Sequence, residues 1–150
     1  MPTVFDPDSA RTIHLRLDRL APDARPLWGR MSTGQMVCHL TDSCKVALGE
    51  TPTTLKPGIL SNRFVRWLII SVFPLPRGKA RTKPEFLLTR PADWEADRQA
   101  FRQYFDRVLI KGRDSRAKWN VHPSFGTMGT AQYGKLMYKH MDHHLRQFGV

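Results

Sequence analysis

Ser32 and Gln35 stand three residues apart, directly ahead of an apolar series (Met36, Leu40, Cys44, Ala47, Leu48) that returns every three or four positions. The pair has the spacing of a capping box, in which each side chain satisfies the other residue's backbone N–H, and Met31 with Met36 occupies the positions of a hydrophobic staple. A chain fixed in this way continues as a helix until a residue such as Gly49 releases it. The spacing predicts a helix from Thr33 to about Gly49, with His39 and Ser43 at the edge of its apolar stripe.

The same pattern recurs elsewhere. Asp6 followed by Pro7 is a helix start, and Ala10, Ile13, Leu17 and Leu20 then repeat at helical steps, giving a first helix from Pro7 to Leu20. Asp93 caps a third helix, carried by Trp94, Phe101, Phe105, Val108 and Leu109 and stopped by Gly112. Thr130 caps the last, which runs from Ala131 to about Phe148 and ends at Gly149. No stretch alternates as a strand does, and no internal repeat is present. With 150 residues the chain buries roughly two-thirds of its unfolded surface, so it needs no metal or disulfide to hold a core. The expectation is one all-α bundle domain over residues 1–150.

Between the second and third of these helices lies a proline-rich segment, Thr51 to Arg90, with the amphipathic stretch SNRFVRWLIISVF inside it. It holds eight Lys and Arg against one acidic residue, so most of the formal +11 charge of the chain sits there. Such a charge suggests nucleic acid, an anionic membrane surface or an acidic small molecule as partner, or a solvated basic surface. The one long apolar run, Trp67 to Pro76, contains two prolines and is too short to span a membrane, which takes about 20 residues. Cys38 and Cys44 fall in one helix with α-carbons roughly 9 Å apart, so they cannot bond to each other. Free thiols and a polar N-terminal stretch without a signal sequence lead to the expectation of a cytoplasmic protein.

Three of the six histidines crowd into the last predicted helix, at 140, 143 and 144. His140 and His144, four apart, share the edge of its apolar face, the arrangement by which a helix offers two imidazoles to one metal ion. His39, on the inward half of the second helix, is the candidate third ligand. Three neutral imidazoles leave positions open to water or substrate, which favours catalysis over a purely structural role. Two other readings stand beside this one: His39 as a packed core histidine, and His143 in place of either partner. Gln35, Asp42 and Gln147 are placed to orient imidazoles, or are ordinary surface residues. Cys38 points about 100° away from His39 and reads as a packed thiol.

The stretches WGRMSTGQMVCHL (Trp28 to Leu40), HPSFG (His122 to Gly126) and KHMDHHLRQFG (Lys139 to Gly149) together resemble the DinB-like, or YfiT-like, superfamily of metal-binding four-helix bundles, and more narrowly its branch termed domain of unknown function 1569. The resemblance spans nearly the whole chain. It implies an up-and-down bundle with a long crossover between helices two and three, here the basic insert 51–90. It also implies a divalent metal, often zinc, nickel or iron, on the positions that are His39, His140 and His144 here. Thiol S-transferases and metal-dependent hydrolases occur among such relatives, which often pair as dimers; Trp67, Leu68, Ile69, Ile70 and Phe73 are the candidate dimer surface, or else they close the core beneath the insert.

Two functions follow as expectations. In the first, a metal-dependent enzyme activates a thiol or water, with Asp42 and His143 as candidate bases and Lys79, Arg81 and Lys83 as candidates to receive an anionic substrate. His122 either caps the mouth of the site or fixes the loop before the last helix. In the second, a basic module binds nucleic acid or another polyanion without turnover, although no helix-turn-helix, zinc-finger or RNA-binding aromatic motif is present.

Overall fold

The strongest helix-starting signals act as their chemistry requires. In a computed structural model, which describes residues 1–56, 58–78 and 82–150, the Ser32 hydroxyl accepts the Gln35 N–H at 3.2 Å and Gln35 Oε1 accepts the Ser32 N–H at 2.9 Å. The helix they begin, α2, spans Thr33–Leu48 and ends where Gly49 turns left-handed at φ 87°. It follows α1 (Pro7–Asp18) and precedes α3 (Arg63–Ser71), α4 (Trp94–Gly112) and α5 (Thr130–Gln147). Two short 3-10 turns, Ile59–Ser61 and Pro84–Phe86, flank α3, and the described residues contain no strand. The fold is all-helical.

Three helix ends differ from their sequence reading. Asp6 precedes α1, but its carboxylate takes the Ser9 hydroxyl at 2.9 Å and no backbone N–H. Thr130 is the first residue of α5 rather than its cap; Gly129 holds that position, and the Thr130 hydroxyl instead accepts the Trp119 indole N–H at 3.0 Å. Gly112 ends α4 without a left-handed turn. Its importance is spatial, since a Cβ there would strike the Phe5 ring, and one at Gly134 would strike the same ring from α5. Phe5 is thus pressed between two helix backbones that only glycine leaves open.

The core forms where the apolar stripes meet. Ile13 and Leu17 of α1, Met36, Leu40 and Cys44 of α2, Phe101 and Phe105 of α4, and Met141 and Leu145 of α5 are all buried in one cluster. Each such side chain contributes roughly 1.5–3 kcal/mol by leaving water. α2 packs along α4, α1 lies on α5 and α4, and α3 lies on α5. Arg16 ties α1 to the chain's end, donating to Asp142 Oδ1 at 2.7 Å and to the Val150 carbonyl at 2.8 Å.

The basic segment is docked by polar contacts as much as by apolar ones. Asn62 caps α3 by accepting the Phe64 and Val65 N–H groups. Arg66 is buried and donates to the carbonyls of Phe125 and Thr127 at 2.7 and 3.1 Å. Lys139 of α5 donates to the Ile70 carbonyl at 3.0 Å, where α3 ends. Ile70 is fully buried in the chain's own core, which removes it from the expected dimer surface; Trp67 and Phe73 remain half exposed. Among the described residues no helix is long and apolar enough to cross a membrane. Cys38 and Cys44 are free and buried.

Candidate metal centre

His39 sits one helical turn beyond the capping box of α2, and α5 carries His140 and His144 on the face turned toward it. The three imidazoles each offer one nitrogen, and these atoms all lie within 4.8 Å of one another. They are the one group of three or more potential ligand residues so arranged among the described residues.

Hydrogen bonds decide which nitrogen each ring presents. His39 Nδ1 lies 2.9 Å from the Phe86 carbonyl, an oxygen that can only accept, so Nδ1 carries the hydrogen and Nε2 keeps its lone pair. Gln147 fixes His144 in the same form. Its Nε2 donates to the Trp28 carbonyl at 2.7 Å, which identifies the other amide atom as oxygen, and that oxygen accepts His144 Nδ1–H at 2.9 Å. His39 Nε2 then approaches His140 Nε2 to 2.8 Å. With one of these nitrogens bare, the approach requires a positive centre between them, either the Nε2 proton of His140 or a cation in its place. Burial pushes all three rings below the usual imidazole pKa, His144 to about 3 and His140 well down, and at these two the neighbouring imidazoles add to the effect. All three are therefore neutral at pH 7. Neutral imidazoles whose second nitrogen is held by a carbonyl or amide oxygen form a donor set suited to a divalent metal.

Of the candidate orienting residues, Gln147 does orient an imidazole, whereas the Gln35 side chain is engaged in the α2 cap. Asp42 acts at one remove. Fully buried, it accepts the Leu88 N–H at 2.7 Å, the Thr89 N–H at 2.8 Å and the Thr89 hydroxyl, with Lys45 Nζ 3.6 Å away. It anchors the strip of chain next to Phe86, whose carbonyl holds His39. These donors make Asp42 an anchor for that strip.

His143 stands outside the three-nitrogen group, its ring 5.2 Å from that of His144 and edge-on to Trp28 at 5.6 Å. It borders a separate cavity of about 350 Å³ with Trp28 and Arg77. His122 fixes its own loop, as one reading of the sequence had it: Nδ1 accepts the N–H groups of Ser124 and Phe125, and its backbone pairs with Gly126. Burial, assisted by the charge of Lys83, lowers its pKa to about 4. Burial raises the Cys38 thiol to about 11, consistent with a packed side chain. Lys79 and Arg81 lie outside the described residues.

Sequence reasoning did not find Phe86 or Trp28, because both act through backbone carbonyls, which no residue type announces. Gln147, three residues beyond His144, was legible from its spacing. No curated protein and no solved structure matches the chain. The model of a family described as a protein of unknown function, DUF1569, matches residues 6–149, and the chain belongs to that family.

Proposed function

We propose that this is a metal-dependent enzyme of the DinB-like superfamily, a four-helix bundle of α1, α2, α4 and α5 in which the basic segment 51–90 forms the crossover. His39, His140 and His144 hold a divalent ion, with zinc, nickel and iron all suited to imidazole. The observation that carries this reading is the convergence of three neutral imidazoles, two of them held through Nδ1 so that Nε2 points inward. A divalent ion there would supply Lewis acidity and keep a water or thiol deprotonated near neutral pH.

The chain's own residues do the rest. Phe86 and Gln147 orient two imidazoles, and burial keeps all three unprotonated. His143, half-buried with its ring 5.2 Å from that of His144, is the candidate to take a proton from a substrate or thiol. The reaction class is thiol transfer or hydrolysis of a small molecule. Exposed Trp67 and Phe73 belong to the same proposal as a surface through which two copies pair, checked by the mass in sedimentation.

The test is elemental analysis of tag-free protein beside His39→Ala and His140→Ala. About one divalent ion per chain, lost in both variants, is expected. A wild-type protein that holds none, even after reconstitution with zinc, nickel and iron, overturns the reading.

A further inference from the structure

Beside His39 the surface opens into a cavity of about 490 Å³, within the usual size range of small-molecule sites. Met31, Leu87 and Pro91 give it apolar walls, and among the described residues Arg30, Arg90 and His39 are its ionisable lining. Among the described residues no acidic side chain lines it. Among the described residues neither guanidinium has a carboxylate within 4 Å, whereas Arg16, Arg98, Arg102, Arg107 and Arg146 all do. The nearby polar groups are already occupied: Thr89 by Asp42 and Lys45, and the Gln35 side chain by its cap.

The cavity also abuts the first turn of α2, a 16-residue helix with no acidic residue in that turn. The positive end of the helix dipole therefore adds to the field of the two arginines. An apolar trough with a doubly cationic rim is complementary to a molecule with an apolar body and one anionic end.

We propose that this cavity binds a small organic anion, a carboxylate or phosphate monoester with an apolar body, held at its charged end by Arg30 and Arg90. Its use as the substrate pocket rests on the metal-enzyme reading, since His39 is common to both; the binding itself does not. The sequence had pointed to the insert's lysines and arginine for this role. Of these, Lys83 does not line the cavity and Lys79 and Arg81 lie outside the described residues; the cationic pair seen there is Arg90, at the end of the same insert, and Arg30, just before α2.

The experiment titrates hexanoate and hexyl phosphate into metal-free and zinc-reconstituted protein, following backbone amide shifts by NMR. Saturable shifts confined to residues 30–35 and 87–91 are expected in both forms. Hexanoate saturating at lower concentration identifies a carboxylate as the preferred end group; hexyl phosphate doing so identifies a phosphate. Either upholds the site. Arg30→Gln with Arg90→Gln, both exposed positions, should weaken binding by about tenfold or more. Arg113→Gln with Arg116→Gln, equally exposed but remote from the cavity, should change it less than about twofold. Absence of shifts at 30–35 and 87–91, or equal weakening by the two double variants, overturns the proposal. If the metal reading alone is wrong, zinc fails to bind while the anion still titrates the metal-free protein.

Discussion

Gln147 ties one ligand of the proposed centre to the chain ahead of α2, so its replacement can separate metal binding from stability. Its oxygen takes the His144 Nδ1–H, its Nε2 serves the Trp28 carbonyl, and the side chain is buried at 5% exposure. Gln147→Leu keeps the bulk but leaves a buried N–H and a buried carbonyl without partners, at about 1–3 kcal/mol each. Metal-free stability should fall by about 2–4 kcal/mol once some relaxation is allowed. Partners of ligating histidines typically contribute 10–100-fold to metal affinity, so zinc should weaken by about that factor. Gln147→Glu acts differently. It preserves an acceptor for His144 and makes it anionic, but sets a carboxylate oxygen against the Trp28 carbonyl. The metal-free protein should lose about 1–3 kcal/mol while zinc affinity holds or rises, because an anionic acceptor makes the imidazole a better ligand. Urea unfolding in the presence of chelator measures the first quantity, and competition with a chromophoric chelator measures the second. Zinc affinity unchanged in Gln147→Leu, or weakened equally in both variants, would refute the claim that His144 is held for metal through Nδ1.

Asp42→Asn offers one acceptor oxygen where several donors converge, so it should cost about 1–3 kcal/mol and lower zinc affinity as the Phe86 carbonyl loosens. Zinc affinity unchanged with turnover abolished would instead return Asp42 to the role of a base. Gly112→Ala should destabilise by about 1–2 kcal/mol, overpacking against Phe5 outweighing the gain in helix propensity of about 0.5–1 kcal/mol. In a Phe5→Ala background the same change should become stabilising, and a urea midpoint that does not reverse sign would rule out the clash. His122 has a folded pKa of about 4, below its ordinary 6.5, so the unfolded chain binds the extra proton between those values. Its contribution is whole above pH 6.5, falls by up to about 3 kcal/mol as pH drops to 4, and is flat below. His122→Asn, which keeps an acceptor for the loop amides, should remove that part of the slope in chelator-treated protein; parallel stability curves for the two proteins would contradict the assignment.

Helices that carry their own start and stop chemistry were readable from residues alone. Ser32, Gln35, Gly49 and Asp93 act within a few positions of themselves, so their signals are complete in sequence. The pairing of His140 with His144 was likewise legible, because helical geometry fixes which residues share a face. What sequence lacked was the distant partner. Thr130 reads as a cap until the Trp119 indole claims its hydroxyl, and Gly112 reads as a stop until Phe5 arrives from the other end of the chain. The anchoring by Asp42 is not legible because nothing local reveals the amides of Leu88 and Thr89. The amphipathic stretch SNRFVRWLIISVF already marks α3 as a helix in the sequence, and Asn62 gives it a cap as good as that of Ser32.

The separation of the three histidines has a consequence for how the protein is made. His39 and His140 are 101 positions apart, and the carbonyl that orients His39 lies between them at Phe86. During synthesis the chain emerges from its N-terminus, so His39 appears first, its orienting carbonyl later and the other two ligands last. Until then the nascent chain offers a metal one isolated imidazole of this set. Ion capture through the assembled set would therefore wait until α5 docks on the helices made before it, and incorporation of metal would report that translation had passed His144.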